Sequence, residues 1–295
     1  MALLKAITIL TLSALAIGFS GAPACRGHQN QNYQTVVATQ KEEPADLKTL
    51  AEGSHSSITD QFVAVIRDDE TYTKLRKMQA SLPQLEADFF RLHTVVAAFL
   101  GRRNTGGYSV EISRGENGKI RVAEKTPAKR AMTIQVLTSP FKIVSIASKK
   151  STAVELSIGQ TFQQRAQHYR ISSGTFSMSG GFTGRTESFQ LRGKLQVTRL
   201  GDLITIGFAV VSSGGARERS LRDFATGVIK DGLITIERLS HGSMLDPPSA
   251  ELQVSGRFPE KNKLVLEIAS KPFNVPENYN GRGSIEAELV AASAN

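Results

Sequence analysis

Residues 221–239 read LRDFATGVIKDGLITIERL, and this stretch decides the fold class. Two segments of extended character, residues 221–230 and 233–239, flank the dipeptide Asp231-Gly232. Asp-Gly strongly favours a type I′ turn, because both central residues of that turn need positive φ angles. The stretch therefore predicts a β-hairpin with two long antiparallel strands.

Two further hairpins, over residues 190–211 and 252–269, lie before and after this one. Three successive hairpins of similar length indicate antiparallel β structure. Such a sheet closes into an up-and-down barrel or packs as a sandwich, because both arrangements protect strand edges. We therefore predict an antiparallel β-barrel or sandwich domain over residues 151–295. Its apolar face encloses either a filled core or a cavity for an apolar or anionic small ligand.

The preceding region, residues 55–150, is predicted to be a β domain with one short helix. Residues 71–82, TYTKLRKMQASL, carry apolar side chains at helical spacing, and Asp68 or Asp69 is a suitable N-cap. Pro83 is expected to end this helix. Strand-like runs occupy residues 58–66, 94–100, 108–112, 119–124, 132–138 and 141–147. The whole chain is therefore predicted to be mainly β, with α+β character in the first domain.

The loop within FLGRRNTGGYSVEI, residues 99–112, joins two of the predicted strands. Its glycines allow a tight reversal, because glycine adopts positive φ without steric cost. Arginine and tyrosine are favoured at binding hot spots. We therefore expect a partner-binding loop made of Arg102, Arg103, Thr105, Gly106, Gly107 and Tyr108. The alternative is that the glycines serve only the turn and the arginines are simply solvated.

These residues resemble the C-terminal domain of the protease complex subunit PrcB family. The resemblance covers about residues 55–150 and rests on VIRDDETY, ADFF, VVAAFLGRRNTGGYSVEI, TPAKRAM and VLTSPFKIVSI, in that order. Its most specific part is Thr-Gly-Gly-Tyr at residues 105–108, although Arg103-Asn104 stands where the family often has a proline. The resemblance implies a secreted or anchored accessory protein that binds and stabilises an exported protease complex. It implies no catalytic residues.

The N-terminus, MALLKAITILTLSALAIGFSGAPA over residues 1–24, reads as a secretory signal peptide. The only cysteine of the chain, Cys25, falls at the expected cleavage point. The stretch therefore resembles a bacterial lipobox, whose cysteine is acylated and anchors the protein stably to a membrane. Ordinary signal-peptidase cleavage is the alternative. Residues 25–54, rich in Gln, Asn and charge, are predicted to be a flexible tether.

Composition limits the partners and the compartment. The net charge is +9, but Lys and Arg are scattered, and no basic stripe with interleaved aromatics points to nucleic acid. A single cysteine excludes an intrachain disulfide and a multi-cysteine metal site. We expect a bacterial cell-envelope protein that reaches the membrane through acylated Cys25, on the outer membrane or cell surface. A periplasmic or secreted protein is the alternative.

Catalytic patterns are weak in this sequence. His241, Ser243 and Asp246 supply residue types of a hydrolase, but no Gly-x-Ser-x-Gly elbow is present. The five histidines have no ligand spacing, so no metal or cofactor is expected. We predict a binding protein and not an enzyme, with an exported protease as its partner. The alternative is a small-ligand or lipid carrier or sensor using the second domain, and a third reading is a hydrolase using His168, His241 or Ser243.

Overall fold

A computed structural model describes residues 47–115, 118–147, 154–163, 165–179, 186–214, 218–239, 250–272 and 280–290. These residues belong to one compact unit, Glu42–Asn295. The predicted signal peptide, Cys25, most of the predicted tether, and His241, Ser243 and Asp246 lie outside the described residues. None of the helices within those ranges has both the length and the apolar character needed to cross a bilayer.

The described part of the chain is mainly β, as predicted. Its helices are α1 (Asp69–Met78) and α2 (Gln160–Gln163), and a 3-10 turn spans Phe89–Arg91. Its strands are β1 (Leu47–Gly53), β2 (Phe62–Ile66), β3 (His93–Phe99), β4 (Ser109–Arg114), β5 (Ile120–Lys125), β6 (Phe141–Ala147), β7 (Leu156–Ile158), β8 (Gln167–Ser179), β9 (Thr186–Leu200), β10 (Leu203–Ser213), β11 (Arg219–Lys230), β12 (Leu233–Leu239), β13 (Ala250–Glu260), β14 (Lys263–Pro272) and β15 (Asn280–Leu289).

Strands β8 to β15 form a closed, eight-stranded antiparallel barrel in the order β10-β11-β12-β13-β14-β15-β8-β9. The predicted hairpin at its centre turns at Asp231 and Gly232, whose φ angles are 51° and 78°. Positive values at both positions are what a type I′ turn requires, which explains the Asp-Gly sequence. Of the two predicted arrangements, the chain adopts the barrel.

Apolar side chains fill the interior of this barrel. One contiguous core cluster receives residues from all eight strands, and Leu195, Ile206, Ile236 and Leu266 within it are at most 1% exposed. Side chains packed in this way stabilise the fold by roughly 1.5–3 kcal/mol for each fully buried large residue. The observation favours the filled core over an internal ligand cavity.

Two smaller sheets precede the barrel. The first has the strand order β1-β6-β3-β2 and the second has the order β4-β5-β7. Residues 47–53, which the sequence analysis assigned to the tether, form β1 and pair with β6 along its whole length. Strand β7 pairs in parallel with β5, so the second sheet includes residues beyond the predicted domain boundary at residue 150. That two-domain division stays a prediction.

Helix α1 begins as predicted and ends earlier than predicted. The Asp68 carboxylate accepts a hydrogen bond from the Thr71 amide at 2.8 Å, which confirms the N-cap. The helix ends at Met78 and not at Pro83. The buried Gln79 side chain explains the difference, because its carbonyl accepts 2.8 Å hydrogen bonds from the Ser56 hydroxyl and the Ser57 amide. These bonds hold residue 79 in a non-helical conformation.

The barrel closes the open edge of the four-stranded sheet. The Thr205 hydroxyl donates to the Val63 carbonyl at 2.9 Å, and the Thr226 hydroxyl accepts from the Val65 amide at 2.8 Å. Both carbonyl and amide belong to β2, the edge strand of that sheet. Buried backbone groups at a sheet edge need hydrogen-bond partners, and the threonine pair supplies them.

A buried ion pair strengthens the same junction. Arg67 Nη2 lies 2.7 Å from Asp223 Oδ1, and the two side chains are 8% and 0% exposed. The same carboxylate oxygen accepts from the amides of Val154 and Phe224 at 2.9 and 2.8 Å. A buried charge requires this kind of full pairing. Buried polar contacts therefore join the small sheets to the barrel.

Candidate interaction surface

The loop from Gly101 to Tyr108 connects β3 to β4, and two of its glycines are fixed by geometry. Gly101 has a φ of 71°, and a Cβ there would lie 2.8 Å from the Thr59 carbonyl oxygen. Gly107 has a φ of 85°, and its Cβ would lie 2.9 Å from Pro127 Cβ. Only glycine combines this backbone with such close neighbours. Gly106 differs, because its nearest neighbour would be 3.7 Å away and no positive φ is required.

Arg103, predicted to contact a partner, makes a dense set of bonds within the chain. Its guanidinium donates to both carboxylate oxygens of Glu124, at 2.9 and 3.2 Å, and to the Leu100 carbonyl at 2.9 Å. The two paired side chains are only 16% and 11% exposed. The guanidinium carbon also lies 5.7 Å from the centre of the Tyr108 ring, within the range of a cation–π contact. These contacts of Arg103 therefore stabilise the conformation of the loop.

The pKa of the Glu124 carboxyl reflects this pairing. Burial alone raises the pKa, but the hydrogen bonds from Arg103 and Thr161 and the charge of Arg103 outweigh burial and lower it. Glu124 is therefore held in its charged form, as a bidentate salt bridge to arginine requires.

The other predicted loop residues divide between exposed and packed positions. Arg102 and Gly107 are exposed, whereas Thr105 and Tyr108 are half-buried. The Thr105 carbonyl accepts a hydrogen bond from the Thr138 hydroxyl at 3.1 Å. Tyr108 packs against the apolar core cluster to which both small sheets contribute residues. A partner that approaches this loop would therefore meet Arg102 and the backbone around Gly107 first.

Residues 131–137, which we call the apolar segment, run beside this loop. Arg103 and Thr138 exchange two backbone hydrogen bonds, at 2.8 and 2.9 Å. The Gly106 amide donates to the Ile134 carbonyl at 3.0 Å. These bonds hold the apolar segment against the loop at two points. The rest of its backbone has no sheet partner in the described part of the chain.

The sequence analysis predicted a strand over residues 132–138, and this prediction was wrong. Only Thr138 forms a β-bridge there. The physical reason is that strand propensity needs a neighbouring strand to satisfy the backbone. The adjacent loop turns away at its glycines after giving two points of contact, so no ladder forms.

The apolar segment exposes large hydrophobic side chains. Met132 is 103% exposed, Ile134 78%, Leu137 58% and Val136 41%. Seven large hydrophobic side chains are exposed in the described part of the chain, and four of them fall within residues 132–137. Scattered exposed apolar residues are normal, whereas a cluster of them is a candidate interaction surface.

Four exposed cations lie beside the apolar segment in the sequence or on the loop that bonds to it. Lys129 and Arg130 directly precede it and Lys125 lies shortly before them, whereas Arg102 is next to Arg103, whose backbone bonds to Thr138. No acidic residue occurs between Lys125 and Ser139. The surface therefore joins an apolar centre to a basic rim, which we define as Arg102, Lys125, Lys129 and Arg130.

A concave region lies on the outer face of the barrel. It is a groove of about 290 Å³ whose lining includes His168, Lys194 and Arg222, with Gly207 and Phe224 among the residues between them. Glu155 also lines the groove, 2.6 Å from Lys119 and 3.7 Å from Arg222. The groove could hold a small anion against an apolar floor.

Of the remaining chemical candidates, only His168 falls within the described residues. His168 lies in this groove, whereas His241, Ser243 and Asp246 fall outside the described residues. Within the described ranges, no group of three His, Cys, Asp or Glu side chains has the proximity to hold a metal ion.

Comparison with known proteins finds a family match over the region that contains the loop and the apolar segment. Residues 94–147 match the model of the family described as PrcB C-terminal, which confirms the resemblance found in the sequence. The match spans the loop, Glu124 and the apolar segment. Neither a curated protein nor a solved structure shows a significant match to the chain.

Sequence reasoning found the loop and missed the apolar segment beside it. The residues MTIQVLT were read as an ordinary strand, which implies that their side chains are partly buried. A usable signal was present in the preceding residues, since TPAKRA places two cations and a proline directly before the apolar run. Lysine and proline are depleted in strands, so they indicate that this run begins outside the sheets of the chain itself.

Proposed function

We propose that this protein is a non-catalytic accessory subunit that binds and stabilises an exported protease complex. The binding surface is the apolar segment with its basic rim. One observation carries the proposal: the exposed apolar cluster lies inside the residues that match the PrcB C-terminal family. Burial of such side chains against a partner supplies binding free energy, at about 25 cal/mol for each Å² of apolar surface.

The surface is preorganised for binding. Arg103, Glu124 and the two positive-φ glycines fix the loop against which the apolar segment rests. A rigid support lowers the entropy that a partner must remove when it binds. The proposal therefore assigns two roles: the loop positions the surface, and the apolar segment with the basic rim, including Arg102, contacts the partner.

We further propose that the protein is exported and anchored by acylated Cys25 in the cell envelope, on the outer membrane or cell surface. The support is the signal-peptide pattern and the position of the only cysteine. Anchoring would raise the local concentration of the protein near an envelope partner. The test is fractionation of cells that produce the Cys25→Ser variant. The wild-type chain should fractionate with membranes and the variant should not; equal distribution would contradict the anchor.

Crosslinking in intact cells, followed by purification, tests the proposed function. A protease subunit should copurify with the wild-type chain and with the Leu233→Asp control, which changes an exposed leucine on the barrel. Ile134→Asp should lower its recovery by about tenfold, a difference of about 1.4 kcal/mol in binding. Deleting the gene for this chain should shorten the lifetime of the protease. Absence of any copurifying protein, or proteolysis by the purified chain alone, would contradict the proposal.

A second candidate function is the binding of a small anionic ligand in the groove on the barrel. The exposed side chains of Lys194 and Arg222, together with His168 on β8, favour it. The full chain is the correct material, because the Arg67–Asp223 pair and the 3.3 Å hydrogen bond from the Phe224 amide to the Val154 carbonyl join the barrel to the preceding residues. Native mass spectrometry of the purified full chain should show a bound anion that is lost in Lys194→Ala; a bare chain would exclude this function.

A further inference from the structure

We propose that the apolar segment binds its partner by β-strand addition. Residues 131–137 would pair edge to edge with an extended segment of the partner that carries apolar side chains flanked by Asp and Glu. This inference rests on the proposed function and adds to it the mode of binding and the chemistry of the bound segment.

The first argument is a conflict between local sequence and local structure. The run Met-Thr-Ile-Gln-Val-Leu-Thr, residues 132–138, has β-branched residues at four of its seven positions, and such residues favour strands. The fold gives this run a single β-bridge, at Thr138. In natural sequences local preference and global fold agree except where function intervenes. A partner strand would remove the conflict.

The second argument is the state of the backbone. Within the apolar segment, the Val136 amide donates to the Ile134 carbonyl at 2.9 Å, and the loop bonds to Ile134. The amides of Thr133, Gln135 and Leu137 have no backbone acceptor among the described residues. The bond between Val136 and Ile134 closes a tight turn at Gln135, so the segment is not extended there and strand pairing requires this turn to open. Among the described residues the loop backbone bonds to Ile134 and Thr138, which leaves the amides of Thr133, Gln135 and Leu137 for the acceptors of an added strand.

An open edge of this kind is a template for an added strand. Main-chain hydrogen bonds supply affinity in β-strand addition, and alternate side chains supply specificity. The exposed Met132 and Ile134 would then pack against apolar side chains of the added strand. Proteins protect edges that are not meant to pair, usually with charge placed on the edge itself. Here the cations lie beside the apolar run, and none lies within it.

The charge of the surface indicates the chemistry of the partner segment. The basic rim has four exposed cations, and the adjoining stretch from Lys125 to Ser139 has no acidic residue. Acidic flanks on the bound segment would complement the rim and speed association at low salt. A second copy of this chain would instead bring two basic rims together, and like charges oppose that pairing. Arg103 adds nothing to the rim, since Glu124 neutralises it.

Site-specific photocrosslinking in cells that produce the full chain tests the occupant. A benzophenone side chain replaces Gln135, and a control chain carries it at Leu233. The expected result is a crosslink from position 135 to a partner segment with alternating apolar residues and acidic flanks, and none to that segment from position 233. A crosslink to residues 26–46 of the same chain, to a second copy or to lipid would overturn the inference, as would no crosslink at all.

A synthetic peptide tests the backbone contribution directly. The probe is acetyl-Asp-Glu-Val-Thr-Val-Thr-Val-Glu-Asp-amide with a fluorophore, and binding to the full chain is measured by anisotropy at low salt. The matched probe is N-methylated at alternate residues, which removes amide donors and leaves the side chains. A third probe carries Lys in place of Asp and Glu. We expect each altered probe to bind about tenfold more weakly.

Variants of the full chain complete this test. Ile134→Asp and Gln135→Pro should each weaken binding of the first probe about tenfold, and Leu92→Asp, at another exposed leucine, should leave it within about twofold. Unchanged thermal unfolding would show that each variant is folded. Equal binding of the N-methylated and unmodified probes, or no binding of the unmodified probe at millimolar concentration, would overturn strand addition.

The two levels of the account fail differently. If the protease copurifies equally with the wild-type chain and with Ile134→Asp, and the peptide does not bind, strand addition and the assigned binding surface are both wrong, whereas the role as an accessory subunit stands. If no protein copurifies with the wild-type chain while the peptide binds as described, the proposed function fails and the edge remains a peptide-binding site.

Discussion

The loop from Gly101 to Tyr108 and the apolar segment lie side by side, yet their side chains are held in opposite ways. In the loop, Arg103 is nearly covered and bonds to Glu124 and to backbone carbonyls. In the apolar segment, Met132 and Ile134 are almost fully exposed. The comparison teaches that residue type alone does not identify a binding surface. A side chain is available to a partner molecule only where it does not already have partners within its own chain.

The comparison predicts that changes in the loop alter folding, whereas changes in the apolar segment alter binding. The largest effect should come from Arg103→Ala, which leaves Glu124 largely buried and unpaired. We expect a loss of about 3 kcal/mol in the free energy of unfolding, measured by urea denaturation. Arg102→Ala, at the exposed neighbour, should change it by less than about 0.5 kcal/mol. Equal effects at the two arginines would break the distinction drawn here.

The glycine pair allows a sharper test within the loop. Gly107→Ala forces a positive φ on alanine and a contact of 2.9 Å with Pro127. We expect it to lower the free energy of unfolding by about 1–2 kcal/mol. Gly106→Ala is the matched control, since its backbone and its surroundings accept a Cβ. Urea denaturation should show a change below about 0.5 kcal/mol for this variant, and a larger loss there would show that the loop is constrained differently.

Acid should reveal the pairing of Glu124. Its folded-state pKa is lowered, so the pair stabilises the protein fully above the pKa of the unfolded chain, and this stability is lost as the pH falls through the folded-state pKa. The free energy of unfolding of Glu124→Gln should therefore lie below that of the wild-type chain at pH 7. The gap should narrow as the pH falls below about 4.5. Urea denaturation at several pH values measures this difference in the free energy of unfolding. A difference that does not change with pH would mean that the charge of the Glu124 carboxylate does not stabilise the fold.

The smallest effect on folding should come from the apolar segment. Ile134→Asp removes an exposed side chain and should change the free energy of unfolding by less than about 0.5 kcal/mol. Solubility should rise, because the exposed apolar surface becomes smaller. Thermal unfolding and light scattering measure the two quantities. A large loss of stability would mean that Ile134 contributes to a core, contrary to its exposure.

Much of the fold could be predicted, because short stretches of the sequence determine their own local structure. Asp231-Gly232 specifies its turn through two positive φ angles, and strands of alternating character on both sides specify the hairpin. Asp68 caps α1 through one hydrogen bond to a residue three positions away. Barrel closure was one of two predicted outcomes. It depends on pairing between β8 and β15, which are more than one hundred residues apart.

The structure of the loop and of the apolar segment could not be predicted in the same way. Arg103 and Glu124 are 21 residues apart, and nothing local indicates that they meet. Strand propensity at residues 132–138 is genuine, but a strand forms only where another part of the chain offers an edge. The loop offers two contact points and then turns away at Gly107. Long-range contacts therefore decide both the burial of Arg103 and the lack of a strand over residues 132–138, and neither follows from the local sequence.

Hydrogen exchange of the full chain, free and with its copurified partner, tests the central claim most directly. In the free protein the amides of Gly106 and Thr138 should exchange slowly, since both are hydrogen-bonded, and those of Thr133, Gln135 and Leu137 should exchange fast. Partner binding should slow the exchange of residues 131–137 above all others. Slow exchange there in the free protein, or no change with the partner bound, would contradict the account.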